Sequence, residues 1–139
     1  MIETTDRDVS ALVSARFEAL LVEDEPLVAI IAGECLRAIG YEPVVAHSAA
    51  EAVHAMESGL KPAFAVIDVG LPDGRGDDLV AELRIHNPGL RVVVVSGYEE
   101  DELRAQFRSD AAVTVVAKPY TELDLARAAE RLGLPRSDG

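Results

Sequence analysis

Five short apolar runs alternate with helix-like stretches along this chain, and that rhythm restricts the fold more than any other feature. Strand and helix in strict succession argue for a parallel sheet covered by helices on both faces, an α/β architecture. The runs are Leu20-Leu21-Val22, Glu42 to Ala46, Phe64 to Asp68, Val92 to Val95 and Val113 to Ala117. Four of them end in polar side chains: Glu23 and Asp24 follow the first, Asp68 closes the third, Ser96 follows the fourth and Lys118 the fifth. In an open α/β sheet the carboxyl ends of parallel strands share one edge, where ligands bind. The pattern therefore delivers acids, a hydroxyl and an ammonium group to one place.

Between the runs, helix signals are clear. Pro26 suits a first helical position, where its missing N–H matters least. Leu27, Val28, Ile31, Cys35 and Ile39 recur behind it at helical spacing, with Gly40 as a stop. Ser48-Ala49-Ala50-Glu51 has capping-box spacing and leads to Val53, Met56 and a stop at Gly59. A third helix is predicted from Asp77 to His86 on Leu79, Val80 and Leu83, broken by Asn87-Pro88-Gly89. The fourth, behind the acidic stretch Glu99 to Glu102, has only Leu103, Ala105 and Phe107 as anchors. Thr121 caps a last helix carrying Leu123, Leu125, Ala128, Ala129 and Leu132.

The predicted organisation is one domain over 17–133, an N-terminal extension over 1–16 and a flexible tail over 134–139. Val9, Leu12, Val13 and Phe17 can form one face of a short helix in the extension, with Ser10 or Asp8 near its start. At 139 residues the chain can bury a full core without staples. Cys35 is the single cysteine and reads as a small buried hydrophobe; no internal disulfide is available. No signal-peptide pattern and no membrane-length apolar run is present, so a cytoplasmic location is the expectation. A formal charge of −12 argues against a nucleic-acid backbone as partner and favours a divalent cation or basic protein surfaces.

The polar strand ends permit one chemistry in particular. An ionised carboxylate such as Asp68 can attack phosphorus and form an acyl phosphate, but repulsion from the phosphoryl group demands cationic help. Asp24 and Asp68, with Glu23 nearby, offer hard oxygens suited to Mg2+, and the Gly70 carbonyl can add another. Lys118 supplies a positive charge and Ser96 a hydroxyl donor for phosphoryl oxygens. His47, His54 and His86 lack any supporting pattern and read as ordinary surface or boundary residues.

With these residues in place, the chain resembles the receiver domain of two-component response regulators over about residues 17 to 133. The motifs are Leu21-Val22-Glu23-Asp24-Glu25, Val66-Ile67-Asp68-Val69-Gly70-Leu71-Pro72-Asp73-Gly74, Val94-Val95-Ser96-Gly97-Tyr98 and Ala117-Lys118-Pro119-Tyr120. The resemblance implies a flavodoxin-like (βα)5 sheet in the order 2-1-3-4-5. It implies Mg2+ on Asp24, Asp68 and the Gly70 carbonyl, with Glu23 acting through water. Asp68 becomes the phospho-acceptor, served by a histidine kinase or a histidine phosphotransfer protein; Ser96 becomes the switch hydroxyl and Lys118 the phosphate-binding lysine. A cis Lys118-Pro119 bond is also implied.

The family's inward-turning aromatic on strand five is replaced by Val115. Tyr98 and Tyr120 are the substitute switch candidates, with an amphipathic rim position as the other reading of each. Gly70 and Tyr98 flank the acceptor, and a tyrosine that screens water there implies a long-lived acyl phosphate. The expected function is a stand-alone phospho-accepting signalling protein rather than an enzyme. Its output would pass through protein contacts or self-dimerisation on the faces of the fourth and fifth helices, near Tyr98, Tyr120 and Leu123. The alternatives are a phosphatase of the haloacid dehalogenase type, and a receiver acting as a non-phosphorylated scaffold. The first ordinarily needs an aspartate two residues after its nucleophile, where Gly70 stands.

Overall fold

A computed structural model describes residues 17–134. Residues 1–16, which hold all of the predicted N-terminal helix but Phe17, and residues 135–139 lie outside the described residues; Phe17 is exposed and in no helix, its carbonyl accepting the Glu42 N–H. The elements run β1 (Glu18–Val22), α1 (Pro26–Ala38), β2 (Glu42–Ala46), α2 (Ala49–Glu57), β3 (Phe64–Asp68), β4 (Gly70–Leu71), β5 (Gly74–Arg75), α3 (Gly76–His86), β6 (Arg91–Ser96), α4 (Glu100–Gln106), β7 (Val113–Ala117) and α5 (Glu122–Arg131). Five strands form one parallel sheet in the order β2-β1-β3-β6-β7. This is the predicted 2-1-3-4-5 topology. The short ribbon β4/β5, which the apolar pattern does not announce, folds antiparallel just beyond the third sheet strand.

Alternation along the strands divides the core in two, because successive side chains point to opposite faces. Leu20 and Val22, Ala65 and Ile67, and Val92 and Val94 pack with α2, α3 and α4 residues such as Met56, Leu79, Leu83 and Leu103. Ala19 and Leu21, Phe64 and Val66, and Val93 and Val95 pack with Leu36, Tyr41, Leu125 and Ala128 on the other side. Tyr41 meets Phe64 edge to face, ring centroids 4.9 Å apart. Each fully buried large side chain of this kind contributes about 1.5–3 kcal/mol over leaving it exposed.

One helix buries a face other than the expected one, and two others bury the expected face but leave one expected anchor exposed. In α1 the buried residues are Ala29, Ala32, Gly33 and Leu36, while Leu27, Ile30 and Ile31 stand out at 57–69% exposure. Small residues let this helix lie close to the sheet: a Cβ on Gly33 would already touch Pro43 at 3.6 Å. Cys35 is consequently half-buried rather than internal. In α4 only Leu103 is buried, with Phe107 half-buried and Ala105 exposed. Leu123 of α5 is exposed as well. At the other boundary Leu134, assigned to the tail, is buried and donates its N–H to the Ala129 carbonyl.

The helix caps match the sequence signals closely. Ser48 Oγ accepts the Glu51 N–H, and Glu51 reaches back to the His47 N–H instead of that of Ser48. Thr121 and Asp124 form a complete capping box at α5.

Candidate phosphoryl-acceptor site

Register sets the site. Val22 lies opposite Ile67, Asp68 opposite Val95, and Ser96 opposite Ala117. Glu23, Asp68, Ser96 and Lys118 therefore leave neighbouring strands at nearly the same level. Further bonds extend the ladder past the strand ends: Glu23 N–H to Ala46 O, Val69 N–H to Val95 O and Lys118 N–H to Ser96 O. The resulting cleft is lined by Asp24, Asp68, Gly70, Arg75, Ser96, Tyr98, Glu99 and Lys118, among others.

Asp68 is buried on the last position of β3, with one oxygen 2.8 Å from Lys118 Nζ and the other accepting the Gly70 N–H at 3.1 Å. Lys118 also reaches Glu23 Oε1 at 3.4 Å. Oxygens of Glu23, Asp24 and Asp68 lie within 4.8 Å of one another. Such a cluster, with one ammonium among three carboxylates, carries excess negative charge and only hard donors. It fits a divalent cation of the Mg2+ type.

Electrostatics follow from that crowding. Burial pushes the Glu23 carboxyl above its ordinary range, and the Asp68 charge adds to this; the Glu25 N–H and Lys118 oppose it. Burial alone would lower the Lys118 ammonium, yet its bonds to Asp68 and the Glu23 charge outweigh it and hold the group above the usual lysine value. Lys118 therefore remains a cation in the cleft.

Ser96 is buried, and its hydroxyl accepts the N–H groups of Tyr98 at 3.3 Å and Glu99 at 2.9 Å. It folds the start of α4 onto itself. Tyr98, in that loop, is 98% exposed and does not screen Asp68. Tyr120 is half-buried beside α1 and α5, its hydroxyl pushed well above the ordinary tyrosine range by burial and, secondarily, by the Glu23 charge. The two tyrosines border one apolar cleft with Val28, Ile31, Cys35 and Pro119, adjoining Lys118. Val115 is buried between the sheet and α4. The Lys118-Pro119 bond is cis.

Several contributors carried no signal in the apolar pattern. Gly76 opens α3 so near β3 that a Cβ there would fall 2.1 Å from the Asp68 carbonyl oxygen. Only glycine fits. Asp73, in the loop after Asp68, accepts the Ala49 and Ala50 N–H groups, which hold its carboxyl below the ordinary value and tie the loop to α2. Arg75 spans from Asp77 to Glu99. The Gly-Arg-Gly run at 74–76 marks the turn, yet nothing in it announces partners on two other elements. His47 places Nδ1 3.1 Å from the Glu23 carbonyl, whereas His54 and His86 are exposed.

Residues 19–130 match the response regulator receiver domain family. The chain belongs to that family. This receiver is 36% identical over 108 residues to the sensor kinase CckA of Brucella abortus, covering 77% of this chain and 11% of that protein. It is 34% identical over 128 residues to the transcriptional regulatory protein PdtaR of Mycobacterium tuberculosis, covering 91% of this chain and 60% of that protein. The receiver thus spans between a ninth and three-fifths of the length of these curated relatives. Among solved structures, a CheY-like receiver domain protein from Methanospirillum hungatei superposes with a TM-score of 0.73 at 26% identity, over 86% of this chain and 95% of that one. A response regulator receiver protein from Sinorhizobium medicae shares the fold with a TM-score of 0.76 at 23% identity, over 85% and 94% of the two chains. No helix among the described residues is long and apolar enough to cross a membrane.

Proposed function

We propose that Asp68 accepts a phosphoryl group from the phosphohistidine of a sensor kinase or phosphotransfer protein. One observation carries this reading: Asp68 and Lys118, 50 positions apart in sequence, meet at 2.8 Å inside a cluster of acids on the ligand-binding edge of the sheet. A carboxylate oxygen of Asp68 forms the new O–P bond while the P–N bond to the donor imidazole breaks, the electron pair leaving with the nitrogen. Lys118 neutralises a phosphoryl oxygen during the transfer. Ser96 donates its free hydroxyl hydrogen to another oxygen once the loop allows it. Asp24, Asp68 and the Gly70 carbonyl would hold Mg2+, with Glu23 acting through water; the ion supplies charge neutralisation between acceptor and donor.

The apolar cleft next to Lys118 and the bulky exposed side chains Leu27, Ile30 and Ile31 support a protein donor over a small phosphomonoester. Phosphoryl attachment adds about −1.5 to −2 charge beside the Ser96 loop, and α4 is the element most readily displaced by it. Tyr98 and Leu123, both exposed, border the surface through which that change would be read by a protein target or second copy. A cytoplasmic location goes with this reading. The test is intact mass after acetyl phosphate and Mg2+ treatment. Wild type should gain one phosphoryl group, and Asp68→Asn should gain none; an adduct surviving on Asp68→Asn overturns the assignment.

A further inference from the structure

The loop carrying Ser96, Gly97, Tyr98 and Glu99 is tied down at two points. On its inner side Ser96 Oγ accepts the Tyr98 and Glu99 N–H groups. On its outer side the Glu99 carboxylate grips the guanidinium of Arg75, Oε2 at 2.9 Å from Nη2 and Oε1 at 3.5 Å from Nη1. Arg75 is itself anchored, since its Nε donates at 2.9 Å to Asp77, whose side chain is 6% exposed. Arg75 immediately precedes Gly76, which is jammed against the Asp68 backbone, so its base cannot drift. The fork–fork geometry is the directional form of an arginine–carboxylate pair.

We propose that Arg75 is a positioning residue for phosphoryl acceptance. It holds the Ser96–Glu99 loop in the arrangement that disfavours the phosphorylated state, and the phosphoryl group must break the Arg75–Glu99 pair to recruit Ser96. This rests on Asp68 being the acceptor. Two facts connect the pair to the chemistry. Glu99 is joined to Ser96 through its own N–H, so the hydroxyl cannot move toward Asp68 without disturbing the residue that Arg75 grips. Arg75, Glu99, Ser96 and Asp68 also line the same cleft, so charge added at Asp68 acts directly on the guanidinium and on the carboxylate it holds. The added negative charge attracts the first and repels the second, and both effects loosen the pair.

Both partners are near half exposed, 50% for Arg75 and 42% for Glu99, so the restraint is modest. Releasing it should shift the equilibrium by about two- to five-fold. The experiment titrates beryllofluoride, a phosphoryl stand-in, into the full chain with Mg2+, following the Tyr98 and Glu99 amides by NMR. Glu99→Gln cuts the pair while leaving Arg75 on Asp77; Arg75→Gln cuts it from the other side. Each should tighten beryllofluoride binding to a similar degree, the double variant should tighten it no further than either alone, and raising salt should narrow the gap to wild type. Unchanged affinity in Glu99→Gln overturns the proposal. So does weaker binding in Arg75→Gln, which would make Arg75 a direct phosphoryl contact. A failure of the underlying reading looks different: wild type itself would bind no beryllofluoride, or Asp68→Asn would still be phosphorylated.

Discussion

On one side of the cleft Glu23 and Asp24 directly follow β1 and Asp68 ends β3, strands packed on both faces, with Gly76 set against the Asp68 backbone. On the other, Ser96 leads into a loop and then α4, seven residues long with Leu103 alone fully buried. Glu23 and Asp68 are buried at the ends of core strands, whereas the Ser96 hydroxyl is held by two hydrogen bonds from its own loop. The difference sets a rigid acid cluster beside an element of low local stability, which a change of charge can bias.

Two glycines test this contrast most severely. Gly76→Ala places a Cβ against the Asp68 backbone and should cost about 3 kcal/mol or more in urea unfolding. Gly97→Ala meets nothing within 4 Å and should stay within about 0.5 kcal/mol of wild type. Comparable losses in both would erase the proposed asymmetry. Leu103→Ala should cost about 2–3 kcal/mol, and hydrogen exchange should show α4 deprotected while β1 and β3 amides keep their protection. Uniform loss of protection would mean that α4 and the acid side unfold as one unit.

The fixed side also makes a metal prediction. At tenfold its dissociation constant, Mg2+ should stabilise the folded chain by about 1.4 kcal/mol, and Asp24→Asn should remove most of that gain in thermal melts. An undiminished Mg2+ effect in the variant would place the ion elsewhere.

The smallest effect concerns Arg84, which ties α3 to Asp110 in the loop before β7 and to the Leu90 carbonyl just before β6. That hydrogen bond to the charged form holds the Asp110 carboxyl below its ordinary value, against the opposing effect of partial burial. As pH falls, the unfolded chain protonates Asp110 before the folded chain does. The stabilisation is therefore complete above the ordinary aspartate pKa of about 3.9 and disappears as pH drops through the folded value. Asp110→Asn should lose about 0.5 kcal/mol at pH 7 and show a shallower acid limb in its stability profile.

The strands and the convergence of Glu23, Asp24, Asp68, Ser96 and Lys118 were legible because unbroken apolar runs and strand-end polarity both follow from local sequence, while the sheet order came from the resemblance to receiver domains. The buried face of α1 was not. Leu27 and Ile31 have the right spacing for a core, but close approach to the sheet favours Ala29, Ala32 and Gly33, a choice set by the distance between layers. Gly76 and the Arg75–Glu99 pair escaped for a related reason. Their significance depends on which atoms lie opposite them, 8 positions away for Asp68 and 24 for Glu99, and no periodicity encodes that. Tyr98 was sensibly suspected from its place beside Ser96, yet its exposure follows from how the loop is tied.

Lys118 reaches Glu23 across 95 positions of chain and Asp68 across 50. During synthesis the acids leave the ribosome well before the ammonium that neutralises them, and a partly made polypeptide lacks the lysine. The acid–ammonium cluster is complete only when the final strand inserts at the sheet edge. If Asp68 is the acceptor, a nascent or trapped folding intermediate would be silent toward a donor, and acceptance of the signal would report that assembly is finished.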